Sequence, residues 1–200
     1  MRVLAVPGFG DTAGYWSGAL ADALGCEVAT IAWPGLWGAA PCPRPIDTVI
    51  SKIVASVDER TVLVGHSLGC RVLLSCLHRI RPRSVVLTAP ALGPLSIMSA
   101  DSVAAWRLTG TRPTRRPDPH TGHPVTLEIP YSFAEGIALL PPPSPIPAQV
   151  ATVLLSADVK HNPASRLLAC GPVVEVCGPH RWWEEDGSRS AVLREIARRA

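Results

Sequence analysis

Short runs of Val, Ile, Leu and Ala recur along the 200-residue chain and alternate with segments whose apolar residues follow the helical period. Runs that are apolar throughout predict strands buried on both faces, as in a parallel sheet. The segments between them predict helices that cover this sheet. We therefore expect an α/β fold, a three-layer sandwich with a mostly parallel sheet of about six strands and helices on both faces. The predicted strands are Arg2–Val6, Cys26–Ala32, Thr61–Val64, Ser84–Thr88, Ala151–Ser156 and Val173–Cys177.

Signals for helix ends flank two of the intervening segments. Asp11 or Thr12 can cap a helix that ends at Gly25. Asp47 can cap a second helix, because apolar residues follow it at helical spacing. Helical spacing alone predicts two further helices, over Cys70–Ile80 and Ser190–Arg199.

The stretch from Gly93 to Pro147 departs from this alternation. It has no clear strand, and prolines crowd its end. Because a connection this long is uncommon and often functional, we expect one domain over residues 1–200 with a short proline-rich lid at about 93–147. The segments "DSVAAWRL" and "YSFAEGIALL" predict two short helices in the lid. The basic stretch from Arg112 to Arg116 is interpreted as a solvated loop.

Composition narrows the class of protein. With 47% hydrophobic and 18% charged residues the chain can bury a core, and a scattered net charge of +3 does not predict a nucleic-acid partner. No apolar run is long enough for a membrane span, and the first residues lack the core of a signal peptide, so a cytoplasmic protein is expected. Six cysteines without a C-x-x-C pair favour small, buried, reduced thiols over disulfides. Nothing here predicts an oligomeric state.

The candidate nucleophile is Ser67, within Gly65-His66-Ser67-Leu68-Gly69. The pentapeptide alone is a weak motif. Its context is more informative, because a predicted strand precedes it and a helix-compatible run follows. A tight strand-to-helix turn of this kind raises the serine hydroxyl into the open and places it near the positive end of a helix.

A serine nucleophile needs a base, and the base needs an orienting carboxylate. Asp158 follows the fifth predicted strand and His180 follows the sixth, so both should lie with Ser67 at the carboxyl edge of the sheet. The chain order Ser, Asp, His is the one typical of a strand–turn–helix nucleophile. The backbone N–H groups of Leu68 and Phe9 are the candidate oxyanion donors. The Pro7-Gly8 segment before Phe9 could equally be a bare turn.

Other polar residues fit these roles less well. The side chain of His66 should project away from the serine. Asp101 is the second candidate for the carboxylate that orients the base. No metal site is predicted, because His120 and His123 lack a third ligand and a helix to hold them. The remaining candidates are His161, too close to Asp158 on the same loop, His78, expected to be structural, and Glu175, inside a predicted strand.

Four segments, "VLAVPGFGDTAGYW", "VLVGHSLGC", "VLLSADVKHNP" and "VCGPHRWWEED", resemble the successive motifs of the α/β-hydrolase superfamily from end to end of the chain. The resemblance implies a small serine hydrolase with a short lid, a Ser-His-Asp triad, an oxyanion hole and no cofactor. Two features depart from the pattern. Pro7 stands where many relatives have histidine, and the lid is unlike the helical caps of larger relatives, so the substrate does not follow by analogy.

These observations favour cleavage of a small-molecule carboxylic ester or thioester through an acyl-enzyme intermediate. Two alternatives remain at this point: acyl transfer, lactonisation, cyclisation or another non-hydrolytic step on a biosynthetic intermediate, and a non-catalytic binding protein. Trp182 and Trp183 either seal a small pocket or, as we prefer, pack beneath the last helix. The apolar lid residues either line a pocket for neutral acyl groups or pack the lid onto the domain. These residues are Leu92, Leu95, Ile97, Met98, Trp106, Tyr131, Phe133, Ile137 and Leu139.

Overall fold

The computed structural model describes residues 1–92, 99–142, 145–159 and 168–200. The strands are β1 (Arg2–Val6), β2 (Val28–Thr30), β3 (Thr61–His66), β4 (Ser84–Thr88), β5 (Thr111–Pro117), β6 (Pro124–Pro130), β7 (Val150–Leu155) and β8 (Val173–Val176). Six of them form one sheet in the order β2-β1-β3-β4-β7-β8, and every neighbouring pair is parallel. The other two, β5 and β6, form a separate antiparallel hairpin. The parallel sheet predicted from the sequence is confirmed.

Burial follows the position of each strand in the sheet. The inner strands β3 and β7 are buried along their whole length, which agrees with their unbroken apolar sequence. The edge strands β2 and β8 are partly exposed. The second strand is shorter than the predicted Cys26–Ala32, because β1 alone supplies hydrogen bonds to it.

The helices are α1 (Ser17–Leu24), α2 (Pro45–Ser56), α3 (Leu68–Cys76), α4 (Ala100–Thr109), α5 (Ser132–Leu139), α6 (Ser156–Val159) and α7 (Asp186–Arg199). Thr12 caps a single 3₁₀ turn before α1, and Gly25 ends α1 with φ of 60°. The predicted capping role of Asp47 was wrong. Pro45 occupies the first turn of α2, and Asp47 lies inside that turn, paired with Arg44. In the described part of the chain, no helix combines the length and apolarity that crossing a membrane requires.

The sheet separates two apolar cores. Alternate strand residues point to opposite faces, so Leu4 and Val6 join one core while Val3 and Ala5 join the other. The first core contains residues of α2, α3 and the lid, and the second contains residues of α1 and α7. This is the three-layer arrangement expected from the sequence.

The lid region corrects the sequence prediction in one respect. The stretch 93–147 was expected to lack strands, yet β5 and β6 pair from Thr111↔Pro130 to Pro117↔Pro124. The basic stretch is therefore part of a strand and not a solvated loop. Its prolines concealed it, although a two-stranded hairpin tolerates proline because each strand has an unpaired outer edge. The two predicted lid helices are present as α4 and α5.

The cysteines are all free thiols, but they are not uniformly buried. Cys70 and Cys76 lie in the core, and Cys26 and Cys42 are half-buried. The prediction of buried thiols was wrong for Cys170 and Cys177, which are exposed.

Thr88, at the end of β4, is buried and joins several elements through one hydroxyl. It donates to the Gly65 carbonyl at 2.9 Å and accepts from the Trp182 indole N–H at 3.2 Å. The Thr152 hydroxyl on neighbouring β7 is also buried but has no hydrogen-bond partner among the described residues. The two threonines are thus both buried on neighbouring strands but differ in their hydrogen bonding.

We expect Thr88→Val to lower the free energy of unfolding by about 2 kcal/mol, because it leaves buried polar groups without their partner. Thr152→Val makes the same chemical change without breaking a hydrogen bond, and should be neutral or stabilising. Urea unfolding followed by tryptophan fluorescence measures both variants. Equal destabilisation by the two substitutions would contradict the role assigned to Thr88.

Candidate active site

Ser67 is the single residue between β3 and α3, and it has a left-handed backbone with φ of 51° and ψ of −118°. This conformation costs a residue with a side chain about 1–3 kcal/mol, so the surroundings must enforce it. A Cβ at Gly69 would lie 2.3 Å from the Val6 carbonyl oxygen, and one at Gly65 would lie 2.8 Å from a Leu73 methyl carbon. Gly69 is therefore needed for the turn to close, while a side chain at Gly65 would press on Leu73 and on the Cys70 backbone at 3.2 Å.

The exposure of Ser67 differs from the sequence prediction. The turn was expected to raise the hydroxyl into the open, but only 9% of the residue is exposed. The loop after β1 lies directly against it: a Cβ at Gly8 would be 3.0 Å from the Cβ of Ser67. The serine is thus covered by a neighbouring loop and does not stand free at the surface.

Asp158 and His180 are in direct contact. The Nδ1 atom of His180 lies 2.8 Å from one carboxylate oxygen of Asp158 and 2.9 Å from the other. The contact arises because β7 and β8 are parallel neighbours whose following loops meet at one edge of the sheet. A carboxylate at Nδ1 holds the proton of a neutral imidazole there and leaves the lone pair on Nε2.

His66, which precedes Ser67 in the chain, is in contact with this pair. The ring of His66 lies 4.8 Å from that of His180, centroid to centroid. Among the described residues, no hydrogen bond joins the Ser67 hydroxyl to His180. The structure therefore brings Asp158 and His180 together and places Ser67 beside them. Catalytic hydrogen bonds are often long in a ligand-free site and shorten when substrate binds.

His66 is completely buried, and its ring contacts those of His180 and Trp183. Its Nδ1 is 3.4 Å from the Thr88 hydroxyl, which donates to Gly65 and so accepts from this nitrogen. Its Nε2 is buried without a partner in the described part of the chain. Burial, reinforced by His180 and Arg181, holds the pKa of His66 well below its ordinary value, so the ring is neutral at pH 7.

The loop after β1 is anchored through its carbonyl groups. The Gly8 carbonyl accepts from the Trp33 indole N–H at 2.9 Å and from the Asp11 amide at 3.1 Å. The Phe9 carbonyl accepts from Arg116 at 3.2 Å. No acceptor for the Phe9 N–H is found among the described residues. The Leu68 N–H begins α3 and has no partner within that helix.

Asp11 is a feature that sequence reasoning missed. It is 4% exposed and forms ion pairs at 3.0 Å with both Arg116 and Arg181. Their positions in the sequence predicted a helix cap at Asp11 and a solvated loop around Arg116. Neither residue carries a local signal for the pairing, since they stand 105 positions apart.

The aromatic lid residues pack against the same loop. Phe9 contacts Trp106 and Phe133 with ring centroids 5.8 and 6.4 Å apart.

The other apolar residues predicted to line a pocket differ in burial. Leu92 and Ile137 are buried in the same core, and Tyr131 is half-buried against it. Leu139 does not fit this set, because it is 79% exposed. Leu95, Ile97 and Met98 lie outside the described residues.

Trp182 and Trp183 follow the catalytic-histidine candidate and are both buried. They share a core with Val192 and Ile196 of α7, in agreement with packing beneath the last helix. The Trp183 ring also lies 4.6 Å from that of His66.

The remaining candidates are spread over the surface. His78 is exposed and not packed as a structural residue, while His120 and His123 are exposed in the turn between β5 and β6. Asp101 is exposed on α4, Glu175 is exposed on β8, and His161 lies outside the described residues. The described segments contain no group of three or more side chains placed to hold a metal ion.

Comparison with known proteins places this geometry in a family. Alpha/beta hydrolase domain-containing protein 10 from mouse is 16% identical, with 98% of this chain and 87% of that chain covered and a TM-score of 0.67. The RedJ thioesterase from the prodiginine biosynthetic pathway in Streptomyces coelicolor is 17% identical, with 100% and 90% covered and a TM-score of 0.60. BorB, a type II thioesterase from the borrelidin biosynthetic cluster, is 18% identical, with 99% and 91% covered and a TM-score of 0.59. At these identities the likeness establishes the fold.

A search of the curated proteins finds no significant sequence match. The sequence model of the alpha/beta hydrolase family matches residues 3–199, which is nearly the whole chain. The matched range includes the turn at Ser67 and the contact between Asp158 and His180. The chain therefore belongs to the alpha/beta hydrolase family.

Proposed function

We propose that this chain is a serine hydrolase that cleaves a carboxylic ester or thioester through an acyl-enzyme intermediate. The observation that carries the proposal is the 2.8 Å contact between His180 Nδ1 and Asp158, at the sheet edge where Ser67 occupies a left-handed turn. Membership of the alpha/beta hydrolase family supports the reaction class. The two structural neighbours named as thioesterases support the inclusion of thioesters.

In this mechanism the Ser67 hydroxyl attacks the acyl carbon while His180 Nε2 takes its proton. Asp158 accepts a hydrogen bond from the Nδ1–H group of His180 and stabilises the imidazolium that forms. The tetrahedral intermediate then expels the alcohol or thiol, which receives the proton from His180. Water attacks the resulting acyl-enzyme by the same steps, and the carboxylic acid leaves.

The negative charge on the tetrahedral intermediate needs hydrogen-bond donors. The N–H groups of Leu68 and Phe9 are the proposed donors. Leu68 begins α3, so its N–H is free of intrahelical bonding and lies at the positive end of the helix dipole. The chemistry needs no cofactor.

The surroundings of Phe9 favour neutral acyl groups. Its ring packs against Trp106 and Phe133, so the lid contributes apolar surface next to the proposed oxyanion donor. The nearby guanidinium groups of Arg116 and Arg181 are both paired with Asp11 and are less available to bind a substrate carboxylate. A medium-sized uncharged acyl chain is therefore the proposed substrate class.

Ser67→Ala should abolish labelling by a fluorophosphonate and reduce ester turnover by about 10⁶-fold, because the nucleophile is removed. Ser75→Ala is the matched control, since the Ser75 hydroxyl lies on α3 and bonds to the Val72 carbonyl. Peptide mapping of the labelled wild type locates the modified serine. Labelling that survives in the Ser67→Ala variant would rule out Ser67 as the nucleophile.

Asp158→Asn should lower kcat by about 10⁴-fold, because an amide at this position favours the wrong tautomer of His180. Asp101→Asn, on the exposed surface of α4, should leave kcat unchanged. Steady-state kinetics on one p-nitrophenyl ester compares the two variants. The reverse result would assign the orienting carboxylate to Asp101.

A panel of p-nitrophenyl esters and thioesters of graded chain length and charge tests the substrate class. We expect neutral, medium-sized acyl groups to give the highest kcat/KM, because they can contact the apolar lid side chains without desolvating a charge. Peptide amides should be turned over hardly at all. A strong preference for a charged acyl group would contradict the apolar site. Flat, very slow rates with Ser67 still labelled would point to one specialised biosynthetic substrate.

A further inference from the structure

We propose that Trp33 and Arg116 are positioning residues that set the direction of the Phe9 amide, and that Asp11 ties this arrangement to the loop carrying His180. The proposal rests on the proposed hydrolase function, in which the Phe9 N–H is an oxyanion donor. None of the three residues needs to touch the reacting atoms. Their role is to hold the backbone of the loop after β1 in one orientation.

The peptide between Gly8 and Phe9 is held in one orientation. The described chain has no cis peptide, so the Gly8 carbonyl and the Phe9 N–H point to opposite sides of this unit. The carbonyl is held by two donors, the Trp33 indole at 2.9 Å and the Asp11 amide at 3.1 Å. Turning the peptide over would break both bonds. Trp33 therefore keeps the Phe9 N–H on the side away from its own ring.

The loop after β1 lies close to Ser67 at Gly8. A Cβ at Gly8 would lie 3.0 Å from the Ser67 Cβ and 3.1 Å from a ring carbon of His66. The loop therefore meets the nucleophile backbone-first, with no side chain between them at this position. A free N–H one residue later is well situated to reach an oxygen on an acyl carbon bound to Ser67.

The carbonyl group of Phe9 is also held, by Arg116. Arg116 reaches from β5 and donates to the Phe9 carbonyl at 3.2 Å and to Asp11 at 3.0 Å. The carbonyls of two consecutive residues, Gly8 and Phe9, are thus held by side chains from different parts of the chain. The hairpin β5–β6 thereby supports the backbone of the proposed oxyanion hole as well as covering it.

Asp11 links the loop after β1 to the segment that carries His180. Asp11 also accepts from Arg181 at 3.0 Å, and Arg181 follows His180 directly. The Asp11 side chain is 5% exposed, and a carboxylate this buried is stable only when paired. One carboxylate consequently joins the loop after β1, the lid hairpin and the loop of the catalytic-histidine candidate.

Trp33→Phe is the sharpest test, because phenylalanine keeps an aromatic ring against Phe133 and removes the indole donor together with part of the ring volume. We expect kcat on the best p-nitrophenyl ester to fall about 10-fold or more with little change in KM. The inhibition constant of a trifluoromethyl ketone with the same acyl chain should rise by a similar factor, because its bound oxyanion uses the same N–H.

Trp37→Phe is the matched control. Trp37 lies in the same loop after β2, and its indole N–H is buried without an acceptor among the described residues. The same chemical change there breaks no hydrogen bond and should leave kcat and the inhibition constant unchanged. Arg116→Gln should act as Trp33→Phe does, whereas Arg115→Gln, on the exposed side of β5, should not.

Hydrogen exchange over residues 7–11 provides a readout that does not depend on activity. Trp33→Phe should speed exchange in this segment at least about 10-fold, while Trp37→Phe should leave it unchanged. If Trp33→Phe had the same kcat, inhibition constant and exchange rates as the wild type, the positioning proposal would be overturned. Turnover that depends on Ser67 would be unaffected by that result. Failure of the fluorophosphonate to label wild-type Ser67 would overturn the hydrolase proposal instead, and the exchange result would still decide the anchoring of the loop.

Discussion

Close approach of two backbones at the end of β3 is the constraint on which the site depends. The first turn of α3 passes so near the end of β1 that a single methyl group at Gly69 would meet the Val6 carbonyl oxygen at 2.3 Å. Glycine at position 69 permits this approach and the reversal of the chain within one residue, and Ser67 takes a left-handed backbone there. The side chain at that position is then directed by the sheet and the helix together, which is why its neighbours can be positioned against it.

Buried polar groups carry this geometry across the sheet. Thr88 on β4 bonds to Gly65 just before the turn, to Trp182 from the loop after β8 and, more weakly, to His66. Because these groups are shielded from water, each lost bond leaves a polar atom that nothing else satisfies. The network therefore links the strand of the nucleophile candidate to the segment that follows His180, and it disfavours movement of one without the other.

The lid hairpin has a second connection to the site, through charge. Asp11 would be unstable as a lone buried carboxylate, and two arginines from distant segments compensate it. Arg116 also donates to the backbone of the loop after β1, so the hairpin is bound to that loop by charge-assisted hydrogen bonds, while Trp106 of α4 adds an aromatic contact with Phe9. The hairpin is therefore fixed to the loop that lies against Ser67.

Local sequence by itself determined the sheet and the candidates at its edge. Apolar runs located β1, β3, β4 and β7 within a residue or two, since burial on both faces leaves little choice of residue type. The valines of β8 located this partly exposed edge strand equally well. The glycines around Ser67 could be recognised in the sequence. The positions of Asp158 and His180 after their strands could also be predicted, because chain direction in a parallel sheet puts all such loops at one edge.

Tertiary structure alone decided the rest. The proline-rich strands β5 and β6 form because they pair with each other, which no local propensity signals. The ion pairs of Asp11, the bond from Trp33 to Gly8 and the burial of His66 join residues that are distant in the chain or depend on what packs above them. Such contacts follow from the way the layers close on one another, and a pattern read along one segment carries no information about a partner supplied by another.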